Sequence, residues 1–230
     1  MRKLLLACLV LGAMLTSSVM AKSKHMMYQA VPMNKVQILQ SGKEKAYCSN
    51  CGMTLRMFYK TNHAAMVNGK EKQYCSMHCL AEDAVKGLNP TNIKVVDNST
   101  LKFIPVSKAY YVVGSKKPAT MSKVSKYAFG TKAAAEKFAK KYGGKIMKFD
   151  KIFAIAKKVY KKEAMMISEK QHMMAKKGKM IFAKKCKAGK LPTFKSVADA
   201  KAYVVQNKIC GKIMGKPLQA IGLYLYLDKK

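Results

Sequence analysis

Tryptophan is absent from this 230-residue chain, arginine occurs only at Arg2 and Arg56, and 11 acidic residues stand against 45 basic ones. Each scarcity excludes something. Paired acids are scarce, serines lie in no nucleophile elbow and no glycine-rich phosphate loop occurs, so no hydrolytic or redox catalytic set emerges and the chain does not read as an enzyme. Arginine is the usual bidentate reader of phosphates and base edges. Here the formal charge of +34 is almost purely lysine, spread along the chain rather than gathered into a stripe, so nucleic acid is not the expected partner. An acidic protein or an anionic membrane face is the kind of surface such a charge would meet. After the first 21 residues no apolar run approaches the ~20 residues of a membrane-spanning helix. No Cys-x-x-Cys-His occurs anywhere, which excludes haem attached through that motif.

What is present begins with an export signal. Arg2 and Lys3 precede an apolar stretch from Leu4 to Leu15, and small residues lead to Val19-Met20-Ala21, so cleavage is expected after Ala21 and the mature protein is expected in the periplasm. Leu5-Leu6-Ala7-Cys8 has the look of a lipoprotein box, but too few residues precede that cysteine for an apolar region. The mature chain is expected to hold an extension at 22–44, a metal-binding domain at 45–157 and a small helical domain at 158–230. Nothing in it signals an oligomeric state.

Cysteines mark the chemistry. Cys48-Ser49-Asn50-Cys51 runs into Gly52-Met53, and Cys75-Ser76-Met77-His78-Cys79 follows, with 23 residues between Cys51 and Cys75. Thiolates, thioethers and imidazole are the donors that suit Cu(I) and Zn(II). Three arrangements fit the four thiols: a Cu(I) site centred on Cys51, a closed four-thiolate zinc site, or two disulfides. Cys75 and Cys79 sit one turn apart at the start of an expected helix, where the amide dipoles favour thiolate and hence metal. His78 is a candidate further ligand, and His63 a weaker one, since a histidine so placed is often a surface residue. Methionines are frequent, and the His-Met-Met runs at 25–27 and 172–174 could catch a soft ion. Met166 and Met173, seven apart, read as one packed helix face.

Periodicity and punctuation show one order of elements twice. A strand at 63–67, a turn at Asn68-Gly69, a strand at 71–75, a helix from Met77 to Val85 and a strand at 93–96 make the first unit. The second has strands at 109–113 and 126–129, a helix from Thr131 to Tyr142 with Thr131 as N-cap, and a strand at 145–149. The fold class is α+β, two tandem ββαβ units followed by a small all-α region that opens with a long helix from Val159 to a stop at Gly178.

These residues carry a resemblance. Cys51-Gly52-Met53, Tyr74-Cys75, Ala109-Tyr110-Tyr111-Val112, Ala119-Thr120-Met121, Ala128-Phe129, Phe138-Ala139 and Tyr142-Gly143-Gly144 together resemble the NosL family, the nitrous oxide reductase accessory proteins, over about residues 45–157. The resemblance implies two ββαβ units and a periplasmic, non-enzymatic chaperone that binds Cu(I) and delivers it to nitrous oxide reductase or a related copper enzyme. By position it implies that Cys51, with Met53 beside it and Met121 from the second unit, is the copper centre. Cys48, Cys75 and Cys79 go beyond the simplest family pattern. With Cys51 they also match a structural zinc knuckle, which would make the protein a zinc-stabilised module docking an acidic partner.

The last third, from Gly178 through Cys186 and Leu191-Pro192 to the helices near 197–207 and 218–227, is similar to a small c-type cytochrome domain. Gly189 and Lys190 stand where the second cysteine and axial histidine would be, so no haem is expected. Cys186 and Cys210 are candidates for a disulfide instead.

Overall fold

The computed structural model describes residues 26–228; the expected export signal, its cleavage point and His25 lie outside them. The first unit is a hairpin, β1 (His63–Val67) and β2 (Lys70–Tyr74), followed by α1 (Met77–Val85) and β3 (Thr91–Val96). Asn68 and Gly69, at φ 50° and 74°, form its two-residue turn, with both residues in the left-handed region that an Asn-Gly pair adopts most readily. The second unit repeats the order: β5 (Tyr110–Val113), β6 (Lys126–Phe129), α2 (Lys132–Tyr142) and β7 (Lys145–Met147). In each unit the first strand lies between the other two, β2-β1-β3 and β6-β5-β7, and every pairing is antiparallel. An unforeseen short strand, β4 (Phe103–Pro105), extends the first sheet beyond β3. Buried Asp97 joins the two units: its Oδ1 accepts from the Ser99 and Gly130 amides at 2.9 and 3.1 Å, and its Oδ2 from the Thr100 hydroxyl.

The helical region departs from expectation at both ends of its first helix. β7 stops at Met147, and α3 (Phe149–Lys185) starts at once and runs 37 residues across positions 157 and 158 without a break. Its first turns carry Phe149, Ile152 and Ala156 into the core that also holds the cysteines. Farther along, Gly178 lies inside the helix instead of ending it. A Cβ there would overlap the carbonyl of Ala220 in α5 (Gly215–Leu227), so this glycine lets two helices touch backbone to backbone. Such contact outweighs glycine's poor helix propensity of ~1 kcal/mol. α4 (Val197–Gln206) starts at Ser196, whose side chain accepts from the Asp199 amide, and packs with α5 in a second apolar core. Cys186 and Cys210 are joined by a disulfide that closes the end of α3 onto the loop after α4. Among the described residues no helix is long and apolar enough to cross a membrane.

Candidate metal centre

Cys48, Cys51, Cys75 and Cys79 come from three places in the chain to one point. Cys48 and Cys51 sit on a knuckle before β1, closed by the Gly52 amide donating to the Cys48 carbonyl (3.0 Å) and the Cys48 amide to the Met53 carbonyl (2.8 Å). Gly52 holds φ 69°, and a Cβ on it would strike Val197 at 2.6 Å, so glycine is needed both for the turn and for the approach of α4. Cys75 ends the hairpin at β2, and Cys79 lies in the first turn of α1. The Asn50 amide clamps the knuckle to α1, donating to the Cys79 carbonyl (2.8 Å) and to Asp83 Oδ1 (2.9 Å).

All four sulfurs lie within 4.8 Å of one another. Cys51 Sγ is 3.5 Å from Cys75 Sγ, which is 3.7 Å from Cys79 Sγ. A four-coordinate metal at ~2.3 Å from each sulfur spaces them about 3.8 Å apart, so the donor set fits a soft ion in size and chemistry. None of the four is in a disulfide. Burial works to raise the Cys48 thiol, but hydrogen bonds from Cys51, Cys75 and Cys79 outweigh it and hold Cys48 well below its usual range. Cys75 and Cys79 are pushed well above theirs, chiefly by the same interaction with Cys48. The four thiols thus act on one another's ionisation through their close contacts.

The cluster has a buried basic neighbour that the sequence does not mark. Lys201 of α4 is wholly inaccessible. Its ammonium donates to the Gly52 carbonyl (2.5 Å) and Gln219 Oε1 (2.7 Å) and stands 4.1 Å from the centre of the Tyr47 ring. Burial pushes it down to about 7 against the pull of Cys51, Cys48 and Cys75, which favour the charged form. Gln219 Nε2 in turn donates to the Cys51 carbonyl at 3.0 Å. The helical region thus grips the cysteine knuckle by its carbonyls. In a chain so rich in lysine, one more between two alanines gave no signal.

Cys48, Cys75 and Cys79 are fully enclosed, whereas Cys51 keeps 5% of its surface and borders an open cavity of about 390 Å³ together with His78 and Met121. Met121 sits on the long β5–β6 connection at φ 52°. The adjacent Thr120 hydroxyl is 2.9 Å from that of Thr61, itself 2.8 Å from the Cys75 carbonyl. Met53 packs against the cysteine core as Met121 does, and the two share a second cavity. His78 does not join the converging sulfurs. Its Nδ1 lies 3.1 Å from Glu163 Oε2 and its ring stacks on Tyr160. Burial would raise the Glu163 carboxyl, but hydrogen bonds from His78 and Ser122 hold it below its usual range. His63 is neither ligand nor surface residue: it is buried, with Nδ1 3.1 Å from the Thr61 carbonyl and Nε2 3.1 Å from the Tyr111 hydroxyl. Met166 and Met173 do not share a packed face; Met166 lines the Met53–Met121 cavity, while Met173 is 59% exposed.

Comparison with known proteins bears on the same part of the chain. The family model NosL matches residues 39–157. Among solved structures, the crystal structure of the copper chaperone NosL from Shewanella denitrificans is similar at 25% identity, covering 52% of this chain and 96% of that one, with a TM-score of 0.40. No curated protein matches the sequence.

Proposed function

The chain belongs to the NosL family, and from that membership we propose that it is an exported accessory protein, not an enzyme, which holds Cu(I) and passes it to a client copper enzyme, nitrous oxide reductase or a relative. The observation that carries the reading is the asymmetry of the thiol cluster: three sulfurs sealed, and the fourth, Cys51, on a cavity that also holds Met121. A cargo ion has to leave by ligand exchange, and an incoming donor can replace a ligand only where one is reachable. Cys51 offers that exchangeable position, with Met121 and Met53 as the nearby thioethers. The disulfide beside four unbridged thiols fits an oxidising compartment such as the periplasm in which metal protects the cluster.

One observation favours a second reading. The sulfur spacing and near-complete burial also suit a closed structural zinc site, the heart of a module whose lysine surface docks an acidic partner. Competition for Cu(I) against a chelator of known affinity, under reducing conditions, separates the two. The copper reading expects Cys51→Ser and Met121→Ala each to weaken Cu(I) binding. Unchanged Cu(I) affinity in both variants, with unfolding on zinc removal, would establish the zinc module in its place.

A further inference from the structure

Three cavities adjoin in series, and methionines are among the residues that neighbouring ones share, with Ile167, Gln171 and Leu223 between the first and second and Gln219 between the second and third. The first holds Cys51 and Met121. Met121 also lines the second, of about 310 Å³, with Met53, Met166 and Met174. Met53 and Met174 line the third, of about 230 Å³, with Met57 and Met27. Met27 is 37% exposed, so an unbroken series of thioether-bearing walls connects solvent to the rim of the thiol cluster. Met27, Met166 and Met174 come from outside residues 39–157, two of them from α3.

We propose that this series is a loading path for Cu(I), a second and weaker soft-metal site through which the ion reaches Cys51. The inference rests on the copper reading above and extends it to residues that reading does not use. Methionine usually earns its place by filling gaps in a core, but these side chains flank spaces that remain open. Among the described residues no carboxylate or imidazole lines the second or third cavity; their polar groups are hydroxyls, amides and the amines of Lys170 and Lys216. Hard divalent cations find no oxygen cage there, whereas neutral thioethers in apolar surroundings hold a soft monovalent ion weakly enough to let it move on.

The test uses the full chain labelled with ¹³C at the methionine methyls and titrated anaerobically with Cu(I), and in parallel with Ag(I) as a redox-inert probe. The Met57 and Met174 methyls are expected to shift, while those of Met165 and Met214, 70% and 79% exposed and lining none of the three cavities, stay in place. Met57→Leu combined with Met174→Leu conserves volume. It is expected to slow loading of the thiol cluster from a Cu(I)–chelator complex by about tenfold or more and to leave the final affinity unchanged. Methyls of Met57 and Met174 that move no more than those of Met165 and Met214 would overturn the path, and so would an unaltered loading rate in the double variant. Repeating the methyl titration on Cys51→Ser keeps this test independent of the first: shifts that persist there support the methionine site even if Cys51 proves not to bind copper.

Discussion

The two ββαβ units are built to one plan and filled with opposite materials. Counted from their first helical residues, Met77 and Lys132, Cys75 corresponds to Gly130, Cys79 to Ala134 and Asp83 to Phe138. The first unit places thiols at the strand–helix junction and a buried carboxylate behind them. Asp83 Oδ2 accepts from the Tyr74 hydroxyl (2.7 Å) and Lys72 (2.9 Å), and its Oδ1 from Asn50. The second unit fills the equivalent space with the packed rings of Tyr127, Phe129, Phe138 and Tyr142. Even the caps differ: Thr131 accepts from the Ala134 amide, whereas Ser76 makes no such bond, so the side chain that caps α2 leaves the start of α1 to the thiols. The hairpins diverge too. A two-residue turn joins β1 to β2, but a long connection that carries Met121 joins β5 to β6. One copy of the scaffold supplies a sealed pocket, and the other supplies rigidity and one loop that reaches across.

The largest effect should come from exchanging matched positions at the junction. Cys79→Ala removes a sulfur from the cluster and is expected to abolish stoichiometric metal retention, forfeiting metal-linked stability on the order of 10 kcal/mol if all four thiolates bind. Ala134→Gly, the matched change in α2, should cost about 1 kcal/mol and leave metal content untouched. Elemental analysis after dialysis, paired with thermal unfolding, reads both. Equal metal loss in the two variants would dissolve the division of labour.

A smaller effect separates the two kinds of core. Phe138→Ala opens the aromatic cluster and should cost about 3–5 kcal/mol with no change in metal release. Asp83→Ala strands the buried Tyr74 hydroxyl, at about 1–3 kcal/mol, and frees Asn50 from one of its two anchors. Because Asn50 also holds the Cys79 carbonyl, this milder variant should release metal faster. Denaturant unfolding and the rate of metal transfer to a chelator distinguish them, and the comparison fails if Phe138→Ala is the one that speeds release.

How far the sequence foretells this arrangement depends on whether the deciding interactions are local. The Asn68-Gly69 turn and the Thr131 cap act within a few residues, and the first hairpin and the second helix follow from them. The spacing of the cysteines marks a soft-metal set, and their convergence needs only a hairpin to return Cys75 to the knuckle. Other features depend on contacts distant in the chain. β4 is three residues at a sheet edge, too short for any period. Gly178 has the look of a helix stop, because nothing nearby reveals that Ala220 will lie against it. Lys201 is one lysine among many until α4 folds over Gly52. Only the family resemblance marks Met121, since its neighbourhood exists only once the second unit has packed on the first.

A last effect, seen only as pH falls, tests the joint between the units. His63 of β1 meets Tyr111 of β5 through a 3.1 Å hydrogen bond and ring stacking. Burial pushes its pKa down from 6.5 to about 4; the Thr61 carbonyl opposes the shift and the Lys126 charge adds to it. The folded protein therefore keeps this ring neutral where the unfolded chain protonates it. Between pH 6.5 and about 4 the unfolded state binds the extra proton, so stability from this residue is complete above 6.5 and lost as pH falls toward 4. Two and a half units correspond to roughly 3 kcal/mol. His63→Gln keeps a polar group able to bond Tyr111 and removes the titration, so its unfolding free energy should change less over this window than that of the parent protein. Urea unfolding at steps from pH 7 to 4 measures the difference. Parallel curves for the two proteins would place the acid sensitivity elsewhere and leave the joint between the units indifferent to protons.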